Sequence, residues 1–333
     1  MFSARQNLEQ FLRARSEPSR IEPLTPDASV REYFRIGWRK RQTAIACVYP
    51  EPFLPKEQTY LDVTNLFLIS SLPIAKIYDF DGALGVIVQE DFGDLILRDV
   101  LEKADIQKKD ELLNDAIKII ARIQAATAKA FELNSIASRL KFDEEKLLWE
   151  LNFFREHYFE TLKKQTLSRK ENQSLTEEFT ELARELDARA AVLCHRDFHA
   201  ANLMIDRQNR LRIIDQQDAR IGAASYDLVS LLLDRVLQTP DEDWLDAKIR
   251  FLLAEREKLG LAKIDFENFL EEFRLQTVQR CLKAVGTFSF QSQMRGKIHF
   301  IPFIVPMFRI VLEAAKKLRR FPNLQKILKE QIL

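Results

Sequence analysis

The chain has 333 residues, 51 of them Lys or Arg and 50 Asp or Glu, for a formal net charge of +1 at pH 7. That length allows roughly two domains of about 150 residues each, and 46% hydrophobic with 30% charged residues is the composition of a globular protein, not a disordered one. The balanced charge excludes a general polyanion binder, because no global field attracts nucleic acid or an anionic membrane, and neither is expected as a partner.

Only 8 glycines are present, and neither G-x-G-x-x-G nor G-x-x-x-x-G-K-[ST] occurs, so a glycine-rich phosphate loop is not expected. Cys47, Cys194 and Cys281 are odd in number and far apart, the pattern of reduced thiols in a cytoplasmic protein. The N-terminus, MFSARQNLEQFLRARS, carries charges in every turn and no apolar run, so it does not read as a signal peptide. The most apolar stretch, 300–312, is short for a bilayer and contains Pro302, Pro306 and Arg309. A soluble, cytoplasmic protein is expected.

In chain order, Ala44–Tyr49 and Leu84–Gln89 have the length of strands, the second following a turn signal at Asp81-Gly82. Between them, Glu57–Leu72 carries Tyr60, Val63, Leu66 and Phe67 at helical spacing and stops before Pro73. These elements predict a small sheet with one helix. From about residue 110 the pattern changes to long amphipathic helices at 110–133, 146–159 and 175–190. The segment 191–220 interrupts them with two strand-like runs, Asn202–Ile205 and Leu211–Ile214, joined by a polar turn at 206–209. Helices return to the end, where Lys316, Lys317, Arg319, Arg320, Lys326 and Lys329 read as the solvated face of a docked helix.

The loop before that hairpin reads His195-Arg196-Asp197-Phe198-His199-Ala200-Ala201-Asn202, an uninterrupted match to the catalytic-loop pattern H-R-D-x-x-x-x-N. Asp215 follows thirteen residues after Asn202. Phosphoryl transfer needs a carboxylate for the proton of the attacking hydroxyl and a metal to neutralise phosphate charge. Asp197 is the candidate base, and Asn202 and Asp215 each offer a hard oxygen to Mg²⁺. A hairpin between them returns the chain to where it started and so brings the two ligands to one end. An H-R-D tripeptide alone is more often a turn with a surface ion pair; Asn202 at the right offset, the hairpin and the following Asp favour the catalytic reading. A zinc pair from His195 and His199 at i, i+4 is disfavoured, since no H-E-x-x-H is present.

On these residues the chain resembles the aminoglycoside phosphotransferase superfamily, relatives of the protein kinases. Within it, the chain is most similar to the anomeric sugar kinases of bacterial cell-wall recycling, which phosphorylate N-acetylmuramate and N-acetylglucosamine at C1. Four further segments carry the resemblance: Asp27-Ala28-Ser29-Val30-Arg31-Glu32-Tyr33-Phe34-Arg35, Gln89-Glu90-Asp91-Phe92-Gly93, Gln217-Asp218-Ala219 with Tyr226-Asp227-Leu228, and Gln279-Arg280-Cys281-Leu282-Lys283-Ala284-Val285-Gly286.

The resemblance implies an α+β, two-lobe protein-kinase-like fold with ATP and Mg²⁺ as cofactors. A small mixed N-lobe, 1–93, would bind the nucleotide; a larger, mainly helical C-lobe, 94–333, would carry the catalytic loop, the metal site and the sugar site. It places Ser29 and Arg31 at the phosphates, and Glu90, Asp91 and Phe92 at a hinge whose backbone pairs with adenine. Asp227 and His195 would support the catalytic loop. Asp218 would accept hydrogen bonds from sugar hydroxyls, and Arg280 with Lys283, three apart on one helix face, would meet an anionic group such as the lactyl carboxylate of N-acetylmuramate. His199 either donates to the sugar or supports the loop. The expected partner is a small-molecule sugar, and the expected state a monomer.

The chain departs from the protein kinases in lacking a lysine on strand 43–49, a D-F-G and an A-P-E. It departs from the sugar-kinase subfamily in having Ala201, where Arg often precedes the metal asparagine. Two rival readings stay open. One is a phosphotransferase for an aminoglycoside, choline or another small alcohol, whose cationic acceptor the acidic run Asp241-Glu242-Asp243 would attract. The other is a catalytically silent nucleotide-binding scaffold.

Overall fold

Alternation along the N-terminal strands decides how the first sheet is covered. The computed structural model describes residues 3–17, 20–24, 31–39 and 42–332. The chain begins with α1 (Ala4–Ala14), β1 (Ile21–Leu24), β2 (Glu32–Trp38), β3 (Gln42–Val48), α2 (Thr59–Ile69), β4 (Ile77–Asp81), β5 (Val86–Glu90) and α3 (Leu97–Lys103). It continues with α4 (Ile106–Ala125), α5 (Thr127–Glu132), α6 (Ile136–Arg139) and α7 (Glu144–Arg155); a π-helical turn (Glu156–Leu162) leads on to α8 (Arg169–Arg189). Short strands follow, β6 (Val192–Cys194), β7 (Leu203–Ile205), β8 (Leu211–Ile213) and β9 (Arg220–Gly222). The last elements are α9 (Tyr226–Leu233), α10 (Glu242–Lys258), α11 (Phe266–Arg295), α12 (Ile304–Leu318) and α13 (Pro322–Ile332).

Strands β1–β5 form an antiparallel sheet in the order β1-β2-β3-β5-β4. Residues two apart share a face of a strand, and Phe34, Ile36, Trp38, Ala44, Ala46, Val48, Val86 and Val88 all bury one face against Leu8, Phe11 and Leu12 of α1. The single helix expected beside this sheet is therefore an undercount. The sequence signals for α1 are the capping box of Ser3 with Gln6 and three apolar residues at i, i+3, i+4. The other face carries Tyr33, Arg35, Cys47 and Gln89.

Packing divides the chain into Met1–Asp105 with Ala200–Asp218, and Ile106–His199 with Ala219–Leu333. The sequence puts the junction at 93/94 and the hairpin in the second lobe, whereas packing brings the β7–β8 hairpin into the first unit. Its backbone explains this: Ile213 N–H donates to Pro73 O at 2.8 Å and Ile205 N–H to Leu95 O at 2.9 Å. The boundary thus falls inside the H-R-D-x-x-x-x-N run, between His199 and Ala200.

The second unit is helical around β6 and β9, which pair antiparallel. The apolar stretch read at 300–312 is longer than expected. Ile298–Leu318 is long and apolar enough, by length and composition, to cross a membrane. Here Met307, Phe308, Val311 and Ala315 are buried on one stripe at i, i+1, i+4 and i+8, as in the core helix of a globular unit.

Candidate active site

In the second unit, β6 delivers the chain to a strained turn. Arg196 has φ 86°, a left-handed conformation that costs a non-glycine residue about 1–3 kcal/mol and persists where its surroundings over-determine it. Asp227, fully buried in the first turn of α9, supplies the constraint. Its Oδ2 accepts the His195 N–H at 2.7 Å and its Oδ1 the Arg196 N–H at 3.0 Å. Burial pushes the Asp227 carboxyl up to about 7, and the two backbone donors pull it the other way. The His195 ring is fully buried and packs edge-on against Phe198 at 5.7 Å.

Asp197 emerges beside three cations. Lys283 Nζ lies 2.9 Å from its Oδ1, Arg280 Nη2 3.6 Å from Oδ1, and Arg196 Nε 3.8 Å from Oδ2. Burial pushes the Asp197 carboxyl up, but Lys283 first, then Arg196 and Arg280, outweigh it and hold it well below the usual carboxylate range. Asp197 therefore stands ionised. Arg280, 5% exposed, also donates from Nε to Ser230 Oγ at 2.8 Å. Behind the cations is Glu150 on α7, 1% exposed: Oε1 lies 3.9 Å from both Arg196 Nη2 and Lys146 Nζ, and Oε2 accepts from Gln279 Nε2 at 2.8 Å.

The His199 N–H donates to Asp197 O at 3.0 Å. Burial depresses its imidazole, and the nearby Asp234 carboxylate partly restores it. The ring is thus neutral near pH 7. Glu150 and Asp234 escaped the sequence reading. Their signal was a carboxylate on an apolar helix face, Glu150 among Leu147, Leu151 and Phe154, and Asp234 directly after Leu231-Leu232-Leu233.

In the first unit, Asn202 ends a one-turn 3₁₀ helix before β7, and Asp215 follows β8. The antiparallel register pairs Leu203 with Ile213, and Ile214 N–H donates to Asn202 O at 3.1 Å, so the two residues stand at one end of the hairpin. Asp206 holds the opposite turn through the N–H groups of Gln208 (2.8 Å) and Arg210 (3.1 Å). Asp215 has φ 66°, a second strained position. Its Oδ1 accepts from Arg31 Nη2 at 3.1 Å and from Gln217 Nε2 at 3.0 Å. Asp218 is half-buried in the 3₁₀ turn that follows.

Among the described residues no group of three or more His, Cys, Asp or Glu could hold a metal. One amide and one carboxylate oxygen nevertheless fit Mg²⁺, which commonly binds through one or two carboxylates and completes its shell with phosphates and water.

Arg31 sits 12% exposed with its guanidinium 5.7 Å from the ring centroids of both Tyr33 and Tyr49, within the range of cation–π attraction. Ser29 lies outside the described residues. The side chains of the expected hinge are engaged: Glu90 pairs with Arg212 at 3.1 Å, and Asp91 with Arg35 at 2.9 Å. Phe92 is buried under the Arg212 guanidinium, 4.2 Å from its ring centroid. Two residues of the acidic run are also engaged. Asp241 caps α10 through Trp244 N–H at 3.0 Å, and Glu242 pairs with Arg274 at 3.3 Å and with Lys317.

Comparison with known proteins places this arrangement. The sequence pattern of the phosphotransferase enzyme family matches residues 20–262. The chain belongs to that family. As a phosphotransferase it acts on a small molecule. It is 29% identical over 308 residues to an N-acetylmuramate/N-acetylglucosamine kinase of Neisseria meningitidis serogroup B, covering 92% of this chain and 89% of the relative. A protein of the same name from Pseudomonas aeruginosa is 27% identical over 322 residues, covering 93% and 88%.

Among solved structures, this phosphotransferase is similar to choline kinase LicA from Streptococcus pneumoniae, with TM-score 0.59 and 13% identity over 96% of this chain and 100% of that one. ADP-bound aminoglycoside phosphotransferase APH(2'')-Ib gives TM-score 0.56 and 13% identity over 93% and 98%. The fold is thus the kinase-like α+β fold of these enzymes.

Proposed function

We propose that this phosphotransferase moves the γ-phosphoryl group of ATP to the anomeric hydroxyl of an N-acetylated amino sugar, N-acetylmuramate or N-acetylglucosamine. The observation that carries this reading is the charge around the candidate base. Lys283, Arg280 and Arg196 all lie within 4 Å of the Asp197 carboxylate, so the negative charge that would draw a polycationic aminoglycoside or a choline headgroup is already compensated where its hydroxyl must approach. A neutral sugar needs no such charge. Two of the three residues in the acidic run that would have favoured a cationic acceptor are engaged in a helix cap and ion pairs, and the curated relatives carry the sugar-kinase name.

In this mechanism Asp197 accepts a hydrogen bond from the acceptor hydroxyl, orients it, and takes its proton late. A carboxylate held this far below its usual range is a weak base, and phosphoryl transfer rests mainly on positioning and charge. An anomeric hydroxyl, acidified by the ring oxygen, suits such a base better than an ordinary alcohol does. Asp227 and the strained Arg196 backbone fix the direction from which Asp197 acts. Asn202 and Asp215 would hold Mg²⁺, which supplies charge neutralisation on the phosphates. Arg31 would grip the phosphates bidentately in place of the missing strand lysine, and the backbone at 90–92 would pair with adenine. The same reading makes the protein a cytoplasmic, monomeric enzyme of peptidoglycan recycling.

A ³¹P NMR time course with MgATP and, separately, N-acetylmuramate, N-acetylglucosamine and an aminoglycoside tests this. A new resonance coupled to the sugar's anomeric proton is expected. Transfer to the aminoglycoside alone would overturn the reading, and ATP binding without transfer to any of them would favour a silent scaffold.

A further inference from the structure

We infer that Lys283 is a positioning residue for the Asp197 carboxylate and does not grip the acceptor. This rests on the kinase reading above and revises the role that resemblance assigns to Lys283. Its Nζ is 2.9 Å from Asp197 Oδ1, and its side chain is only 13% exposed. An ammonium so placed is committed to its partner, because a mostly buried cation parted from its carboxylate is costly.

The helix that carries it is fixed on both sides. One turn before Lys283, Gln279 donates to Glu150 on α7; one turn after it, Gly286 lies against the backbone of Phe154 on the same helix. The reach of the ammonium is therefore set by a helix held through one buried side-chain hydrogen bond and one backbone-level contact rather than by a loose surface rotamer. Arg280, the other cation of this face, is held by Ser230 and stands farther off at 3.6 Å.

A cation anchored in this way holds Oδ1 and so sets the direction of the whole planar carboxylate. An acceptor carboxylate reaching Lys283 would have to share the ammonium with Asp197 and so weaken its hold on Oδ1. Loss of the ammonium should therefore damage turnover on charged and uncharged acceptors alike.

The test compares Lys283→Met, Lys283→Arg and Lys283→Ala with the wild type on N-acetylmuramate, which is anionic, and N-acetylglucosamine, which is neutral. Lys283→Met is expected to lower kcat roughly 10²-fold on both sugars, the scale of a misplaced catalytic group, with KM for either sugar and nucleotide affinity unchanged. Lys283→Arg should recover part of the loss, and methylamine should restore part of the turnover of Lys283→Ala. A loss confined to N-acetylmuramate and appearing in KM would overturn the proposal in favour of acceptor binding; so would unchanged kcat. Nucleotide affinity reports folding, and if Lys283→Met does not fold, Lys283→Arg and Lys283→Gln carry the same two-sugar comparison. Wild-type protein inactive on both sugars would sink the acceptor assignment instead, and the Lys283 series is then read on the alcohol that it does phosphorylate.

Discussion

Gly286 of α11 packs directly on the backbone of Phe154 of α7: a β-carbon at residue 286 would stand 2.7 Å from Phe154 Cα and 2.9 Å from its N. Neither atom can move aside as a side-chain tip can. Gly286→Ala should therefore cost about 1–3 kcal/mol, the range for overpacking a fitted core, and Gly286→Val more. Urea denaturation of the two variants measures it; a Gly286→Ala midpoint equal to that of the wild type would show that the helices can part without penalty.

Asp227 invites a substitution that keeps its shape and removes one acceptor. Asparagine offers a single amide oxygen and turns an NH₂ group toward the second backbone N–H. One of the two donors now bonded at 2.7 and 3.0 Å would lose its partner, at about 1–3 kcal/mol. Asp227→Asn is expected to melt earlier and to lose most of its turnover, since the loop holding Asp197 is no longer fixed. Thermal melts alongside phosphoryl-transfer assays test both halves.

The charge on Asp197 gives the pH dependence a sign. Lys283, Arg196 and Arg280 together outweigh burial and hold this carboxyl well below its ordinary value. A depressed carboxylate stays ionised as pH falls, so kcat/KM on a neutral sugar should show no acid limb from this group down to about pH 5, one unit above a free carboxylate. An acid limb in the wild type that disappears in Asp197→Asn, measured on its residual rate, would contradict the arrangement.

All three cysteines are free and buried. Burial pushes the Cys47 thiol up to about 11, the Cys281 thiol up to about 12 and the Cys194 thiol well above its usual value. The thiolate is the reactive form, so Ellman's reagent at pH 8 should find no accessible thiol in the native protein and three in urea. Rapid labelling of one native cysteine would place that residue in an opening segment.

The loop carrying Asp197 and the hairpin that brings Asn202 and Asp215, the candidate metal ligands, to one end are legible in the sequence because the hairpin is local. Spacing predicts that juxtaposition. Helices α2, α4, α7 and α8 were legible for the same reason, through periodicity. What was not legible depends on distant partners. The attachment of the hairpin to the first unit arises from hydrogen bonds to Pro73 and Leu95, more than a hundred residues away, which no local pattern signals. The surroundings of Lys283 are similar: its spacing from Arg280 predicts a basic face, but α11 turns that face toward Asp197. Strand β2 was hidden by its aromatic content, since Tyr33 and Phe34 occupy both faces and blur the alternation that Phe34, Ile36 and Trp38 otherwise show.

The ion pair of Arg31 with Asp215 bears on the order in which ligands arrive. If Asp215 holds a divalent ion as proposed, a bare Mg²⁺ would meet a carboxylate already compensated at Oδ1 by a guanidinium that lies beside two tyrosine rings. A metal arriving with a polyphosphate would bring that arginine a new partner. On that reading Arg31, in place of the missing strand lysine, would shield Asp215 until the nucleotide comes.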